Sequence, residues 1–261
     1  MKYRLVMFDF DGTLADSFAW FLSNVNALAG PYRFGPIEEA EIETLRGWDA
    51  RKLLAHLGVP LWKAPIIARR LRTLMAKDVR CIRLFQGVDD LLGLLSESGA
   101  TLAIVSSNSV ANVQAVLGPA NAARIAHYQC GLSMFGKCAG LRRVLGRSGI
   151  PREQAVYIGD EIRDLEAAKK AKVSSGCVAW GYARLDVLRG RGPTEVFATV
   201  PEIARLATAS AEGREARLFG PDSGADRERP GVGSLLRNRP SGGGIAQVSS
   251  RIDSGAYKRW T

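Results

Sequence analysis

Residues 8–14 read Phe8-Asp9-Phe10-Asp11-Gly12-Thr13-Leu14, directly after the apolar run Leu5-Val6-Met7. The run predicts a buried first strand, Arg4 to Phe10, ending on a Gly turn. Side chains two apart on a strand share a face, so Asp9 and Asp11 crowd two negative charges together. Such a pair asks for a cation between them and suggests divided roles, one carboxylate as nucleophile and one as acid and base. For a bare D-x-D, an Asx turn with solvated carboxylates is the plainer explanation. D-x-D-G-T-L behind an apolar strand is far more specific.

Beyond Leu14 the pattern turns helical. Phe18, Phe21, Leu22, Val25 and Leu28 recur at three- and four-residue steps. Gly30-Pro31 predicts a break. Short helices follow around Ile37, Ile42 and Leu45 and around Leu53, Leu54 and Leu57, the latter stopped by Gly58-Val59-Pro60. A fourth helix is expected from Leu61 to Lys77. With no strand-like alternation, residues 15–85 read as a helical insert of about 70 residues.

From Phe85 onward strands and helices alternate. Helices are expected from Gly87 to about Gly99, Val110 to Leu117, Lys137 to Arg147, Arg163 to Ala171 and Glu202 to Ala207. Strands are expected at Thr101–Val105, Arg124–Tyr128, Ala155–Ile158 and Glu195–Thr199, with a strand end at Cys177–Trp180. This alternation implies an α/β fold, a parallel sheet covered on both faces. Ligands gather at the carboxyl ends of such strands. Residues 208–261 are rich in Gly, Ser, Pro, Arg and Asp, cannot bury enough apolar surface to offset ordering entropy, and read as a disordered tail.

The chain of 261 residues is 46% hydrophobic and 24% charged, ordinary values for a globular protein. Its net charge of +10 is spread over helix-like clusters such as Arg69-Arg70-Leu71-Arg72 and Lys169-Lys170-Ala171-Lys172. No basic stripe is interleaved with aromatics, so nucleic acid is not indicated and the charge suits an anionic small substrate. No apolar run approaches the roughly 18 residues of a membrane span. Asp9 and Asp11 interrupt the first apolar stretch too early for a secretory signal. Cys81, Cys130, Cys138 and Cys177 lack paired spacing, so reduced thiols, a cytoplasmic location and no zinc site are expected. With only two histidines, His56 and His127, histidine chemistry has little support.

Four groups stand in order at predicted strand ends or helix starts. They are Asp9 with Asp11; Ser106-Ser107-Asn108; Lys137; and Gly159-Asp160-Glu161-Ile162-Arg163-Asp164. Taken singly, Ser106 reads as a turn or helix cap, Lys137 as a surface lysine, and Asp160 and Asp164 as helix N-terminal acids. Together they supply a carboxylate nucleophile, a hydroxyl donor, a fixed cation and a second acidic cluster, the needs of magnesium-assisted phosphoryl transfer.

This order resembles the haloacid dehalogenase-like hydrolase superfamily over residues 1–207. D-x-D-G-T matches its first motif, Ser106 its second, Lys137 its third, and Gly159, Asp160 and Asp164 its fourth, G-D-x-x-x-D. The spacing between the first two motifs looks like a small helical cap. Val178-Ala179-Trp180-Gly181-Tyr182 resembles the phosphoglycolate phosphatase-like branch.

The resemblance implies that Asp9 attacks phosphorus and forms an aspartyl-phosphate. Asp11 then protonates the leaving alkoxide and afterwards deprotonates the hydrolytic water. Mg²⁺ would lie on the side chains of Asp9 and Asp160 and the backbone carbonyl of Asp11, with Asp164 in support. Ser106, Lys137 and backbone N–H groups near Gly12 and Ser107 or Asn108 would grip the phosphoryl oxygens. Because Asp11 is retained, phosphate-ester hydrolysis is preferred over dehalogenation. Arg46 and Arg51, flanking Gly47, are candidates to meet a second anionic group on the substrate.

The fold expected is therefore α/β, with a Rossmann-like catalytic core over residues 1–14 and 86–207, a helical cap over 15–85, and the tail. The activity expected is Mg²⁺-dependent hydrolysis of a small phosphorylated metabolite such as phosphoglycolate. Alternatives are a sugar-phosphate mutase with the same catalytic residues and a non-catalytic binding protein on the same fold. A P-loop reading of Gly131-Leu132-Ser133-Met134-Phe135-Gly136-Lys137 fails at Cys138, where Ser or Thr should follow.

Overall fold

In the computed structural model, which describes residues 2–208, Leu5–Phe8 forms strand β1 with every side chain buried. A strand apolar at each position must be covered on both faces and paired along both edges. After the Gly12 turn come β2 (Ala15–Asp16), α1 (Phe18–Tyr32), α2 (Ile42–Leu45), α3 (Ala50–His56), α4 (Ala64–Asp78) and β3 (Arg83–Leu84). The chain continues with α5 (Val88–Glu97), β4 (Thr101–Val105), α6 (Val110–Arg124), β5 (Ile125–Gln129), α7 (Lys137–Ser148) and β6 (Ala155–Gly159). It ends in α8 (Ile162–Ala171), β7 (Ser174–Val178), α9 (Leu185–Arg189), β8 (Glu195–Phe197) and α10 (Arg205–Thr208).

Among the described residues, six strands form one parallel sheet in the order β5-β4-β1-β6-β7-β8. Leu5 is in register with Thr101 on one side and Ala155 on the other, and Phe8 with Ile104 and Ile158. The three central strands thus run level, and the residues just past their carboxyl ends emerge side by side. The chain leaves β1 for β4 and β5 in one direction and returns to β6 in the other. β1 is therefore the switch point, where a doubly wound sheet opens a crevice.

Period-two alternation sorts the central strands into two cores. Val6, Phe8, Leu102, Ile104, Val156 and Ile158 pack against α5 and α6 through Leu91, Leu95 and Val113. Leu5, Met7, Ala103, Val105, Ala155 and Tyr157 pack against α7 and α8 through Leu141, Val144 and Ala168. Helices α1 to α4 gather around their own cluster, which includes Val25, Leu28, Leu45 and Ile67. The Asp49 side chain caps α3 by accepting from the backbone N–H groups of Arg51 and Lys52, a contact worth about 1 kcal/mol.

Several expectations shift. The first strand is Leu5–Phe8 rather than Arg4–Phe10. The insert is framed by β2 and β3, an antiparallel pair two residues long on each side, too short to leave an alternation pattern. Helix α1 runs through Gly30-Pro31 and ends where Arg33 turns left-handed; Pro31 in the last turn removes only one donor. Helix α6 breaks at Gly118 but resumes and continues to Arg124. The strand expected to end at Cys177–Trp180 is Ser174–Val178. Thr208 still belongs to α10, and the disorder expected beyond it lies outside the described residues. No helix among the described residues is long and apolar enough to cross a membrane.

Candidate active site

Asp9 follows β1 and is buried, its N–H tied to the Ile158 carbonyl at 2.8 Å. Its Oδ2 accepts from Lys137 Nζ at 2.6 Å. Its Oδ1 is buried and has no hydrogen-bond partner among the described residues. Asp11 is half-buried; Ser17 Oγ donates to its Oδ1 and Asn108 Nδ2 to its Oδ2, each at 3.0 Å. The turn between them needs glycine. Gly12 has φ +77°, and a Cβ there would lie 2.2 Å from Asp160 Oδ2.

Ser106, one residue past β4, is fully buried. Its Oγ accepts from the Asn108 N–H at 3.1 Å, which leaves its O–H as a donor. The Ser107 carbonyl accepts from Arg72 Nη1 of α4 at 3.2 Å. The Asn108 amide also approaches Met75 Sδ of α4 at 2.9 Å, and its Oδ1 accepts from Asn112 Nδ2 at 3.0 Å. The Gly12 N–H, expected near the phosphoryl oxygens, donates to the Ala15 carbonyl at 2.9 Å, and the Asn108 N–H is likewise engaged.

Lys137 opens α7 and turns inward, 2% exposed. It bridges Asp9 and Asp164. A buried ammonium is tolerable only when so paired. A P-loop lysine would not be committed to two carboxylates, one just past β1 and one in α8. Asp160 and Asp164 are buried in the capping turn of α8. Thr13 Oγ1 donates to Asp160 Oδ1 at 2.8 Å and the Tyr182 N–H to its Oδ2 at 2.7 Å. The Tyr157 hydroxyl donates to Asp164 Oδ1 at 3.0 Å. One carboxylate oxygen from each of Asp9, Asp160 and Asp164 lies within 4.8 Å of the others.

Burial pushes Asp9 up to about 7, with Asp164 adding to the rise and Lys137 opposing it. Burial, then Glu161 and Asp9, raise Asp160 well above the ordinary carboxylate range. Burial also raises Asp11 against the hydrogen bonds from Ser17 and Asn108. Burial pushes Asp164 upward, but Lys137 and Arg163 outweigh it and hold it below its ordinary value. The site is therefore short of positive charge as it stands. The unpartnered Asp9 oxygen beside two further carboxylates fits a divalent cation, and an all-oxygen donor set suits a hard one.

Thr13, Ser17, Tyr157 and Tyr182 hold the acids in place; of these the site motifs in the sequence include only Thr13, as part of D-x-D-G-T, and give it no role of its own. Ser17 lies only a few residues beyond D-x-D-G-T. Tyr182 belongs to the stretch singled out for its branch resemblance alone. Gly181 also matters: a Cβ there would lie 2.1 Å from Asp160 Cβ.

Above the acids, a cavity of about 510 Å³ separates the helical insert from the sheet. Phe18, Phe21 and Leu22 line it on one side and Asp11, Ser107 and Asn108 on the other. Arg46 reaches this cavity, but its nitrogens are engaged. Nε donates to the Tyr182 carbonyl and Nη2 to the Gly181 carbonyl, each at 3.0 Å, and Nη1 to Glu43 at 2.7 Å. Arg51 lies with its guanidinium carbon 4.8 Å from the Phe135 ring centroid. Arg46 thus presents no unengaged fork to the space above Asp11, and Arg51 is not among the residues that line the cavity.

Residues 6–178 match the family described as haloacid dehalogenase-like hydrolase. A phosphoglycolate phosphatase of Synechococcus elongatus is 30% identical over 206 residues, covering 78% of this chain and 97% of that one. An N-acetylmuramic acid 6-phosphate phosphatase of Pseudomonas aeruginosa is 24% identical over 192 residues, covering 70% and 84%. A crystal structure from Lactobacillus plantarum, of a candidate phosphoglycolate phosphatase, aligns with a TM-score of 0.68 at 22% identity, covering 79% of this chain and 100% of that one. At that identity the likeness concerns the fold.

Proposed function

The chain belongs to the haloacid dehalogenase-like hydrolases and is a phosphoric monoester hydrolase acting on a small phosphorylated substrate; from that premise we propose that it hydrolyses a phosphoglycolate-like ester, with Mg²⁺, through an aspartyl-phosphate. The observation that carries the proposal is Asp9 Oδ1, a buried carboxylate oxygen with no partner at the carboxyl end of the central strand. In a well-formed interior such an atom awaits a ligand.

Asp9, Asp160 and the Asp11 carbonyl would hold Mg²⁺, with Asp164 in support. When bound, the cation supplies charge stabilisation to the phosphoryl oxygens. Asp9 attacks phosphorus, and the bond to the leaving oxygen breaks. Asp11, raised by burial and aimed by Ser17 and Asn108, gives that oxygen a proton. It then takes a proton from the water that attacks the acyl phosphate. Lys137 offsets the charge of Asp9 throughout. The Ser106 hydroxyl and Ser107 N–H are suited to hold phosphoryl oxygens. Residues 15–85 act as the cap that excludes bulk water.

The test is phosphate release from phosphoglycolate and other small monoesters, with Mg²⁺ and with chelator, beside Asp9→Asn. Metal-dependent turnover that the substitution abolishes supports the reading. Full activity in Asp9→Asn removes Asp9 as nucleophile.

A further inference from the structure

Arg46, Arg72 and Arg163 bring guanidinium groups to the wall of the cavity. Arg46 is fully engaged in joining the insert to Gly181 and Tyr182. Arg72 is tied to the Ser107 carbonyl, and Asn112 holds its own carbonyl. Arg72 keeps Nε and Nη2 without a partner among the described residues but reaches the cavity from α4 of the insert; Arg163 reaches it from the core, beside the acids. It sits in the first turn of α8, between Asp160 and Asp164 in sequence. Nε donates to Glu161 Oε2 at 2.6 Å, and Nη2 pairs with the same carboxylate. Among the described residues Nη1 has no partner, and the side chain keeps 21% of its surface exposed where it lines the cavity. Its charge acts on Asp9, Asp11 and Asp164 alike, so it stands within electrostatic reach of the reacting centre.

We infer that Arg163 receives a second anionic group of the substrate, a carboxylate lying a few atoms from the phosphate, so that the enzyme selects phosphate esters of short hydroxy acids. The inference rests on the phosphoglycolate-like reading above and adds the residue that meets the carboxylate of the leaving group. Its physical basis is the cavity wall. Beside Phe18, Phe21 and Leu22, a carboxylate without a cationic partner bears a large desolvation cost. Glu161 fixes the guanidinium in one orientation, so the free edge meets the incoming carboxylate without reorganisation. In a space shielded from water that bond is stronger than at the surface. An ester with a neutral leaving group gains nothing from it.

The experiment measures kcat/KM for phosphoglycolate and for ethyl phosphate, at saturating Mg²⁺, in wild type, Arg163→Met and Arg163→Lys. The expected result is a wild-type preference for phosphoglycolate that falls roughly tenfold to a hundredfold in Arg163→Met, as for loss of one charge-assisted hydrogen bond. Arg163→Lys keeps the charge, recovers part of the preference, and serves as the reading if the methionine variant does not fold. A parallel loss for both esters overturns the inference and makes Arg163 a charge-balancing neighbour of the acids. Wild type that hydrolyses ethyl phosphate but not phosphoglycolate overturns the inference and the phosphoglycolate-like reading, and leaves the phosphatase reading standing. Wild type that hydrolyses neither overturns the phosphatase reading and the inference together.

Discussion

The hydroxyl of Tyr182 lies 3.0 Å from Ser17 Oγ, joining the loop after β7 to the residue between β2 and α1. Ser17 in turn donates to Asp11. The Tyr182 ring packs on Phe18 and Phe21 of the insert, at centroid distances of 5.0 and 5.4 Å. The carboxylate proposed as acid and base is thus oriented by a chain of contacts that reaches the helices above it.

Ser17→Ala removes the donor to Asp11 Oδ1 and should impair the step that needs its proton. Loss of one neutral hydrogen bond corresponds to about 1 kcal/mol, roughly fivefold in kcat/KM. An alkyl phosphate, whose leaving oxygen requires protonation, should show this reduction. A nitrophenyl phosphate, whose leaving group departs unprotonated, should lose much less. Tyr182→Phe should show the same asymmetry more weakly. Equal losses on the two esters would assign both residues to structure alone.

Lys137→Met leaves Asp9 and Asp164 facing each other without their shared cation. Breaking a buried pair in this way costs about 3–5 kcal/mol. The cost should be largest above pH 7 and shrink in acid, where protonation relieves the repulsion. Urea unfolding of wild type and variant at two pH values measures it.

The metal-free protein should lose stability as pH rises. Asp9 moves from its ordinary 3.8 to about 7 on folding. The folded state therefore holds the proton more tightly, its contribution is complete below 3.8, and it is lost as pH climbs through about 7. Asp160 pulls in the same direction. Thermal unfolding in chelator should show this decline, and Asp9→Asn should flatten it. Added Mg²⁺ should raise the melting temperature more at pH 7.5 than at pH 5.5, because cation and proton compete for the same oxygens.

Gly181→Ala places a methyl group 2.1 Å from Asp160 Cβ. Overpacking of this kind costs about 1–3 kcal/mol. Here the displaced group is a proposed metal ligand, so the half-saturating Mg²⁺ concentration should rise along with the loss of stability. A metal titration of phosphate release checks it. An unchanged Mg²⁺ requirement would place Gly181 outside the metal site.

The periodicities that could be read were the ones that repeat. Helix α7, expected from Lys137 to Arg147 and found from Lys137 to Ser148, is legible because its apolar step and the glycine that follows it are local. The ribbon of β2 and β3 was not, because two residues on each side carry no period. Gly118 and Pro119 signal an end to helix α6 after Leu117, yet the chain resumes the helix and continues it to Arg124. The acids of the site were legible through their spacing. Ser17, Tyr157, Tyr182 and Arg163 were not, since a lone hydroxyl, phenol or arginine is commonplace until something stands opposite it.

Sequence alone therefore determined the alternation of strands and helices, the helical insert and the order of the acidic and basic groups, because each is written in short-range spacing and composition. Tertiary structure decided which of those groups meet. The level register of β4, β1 and β6 brings Ser106, Asp9 and Asp160 to one edge. Burial then lifts Asp9 and leaves its Oδ1 unpartnered among the described residues, while the folded insert commits Arg46 to backbone carbonyls and Glu161 holds Arg163 where it lines the cavity. Desolvation and cross-strand proximity arise only when segments distant in the chain are packed together.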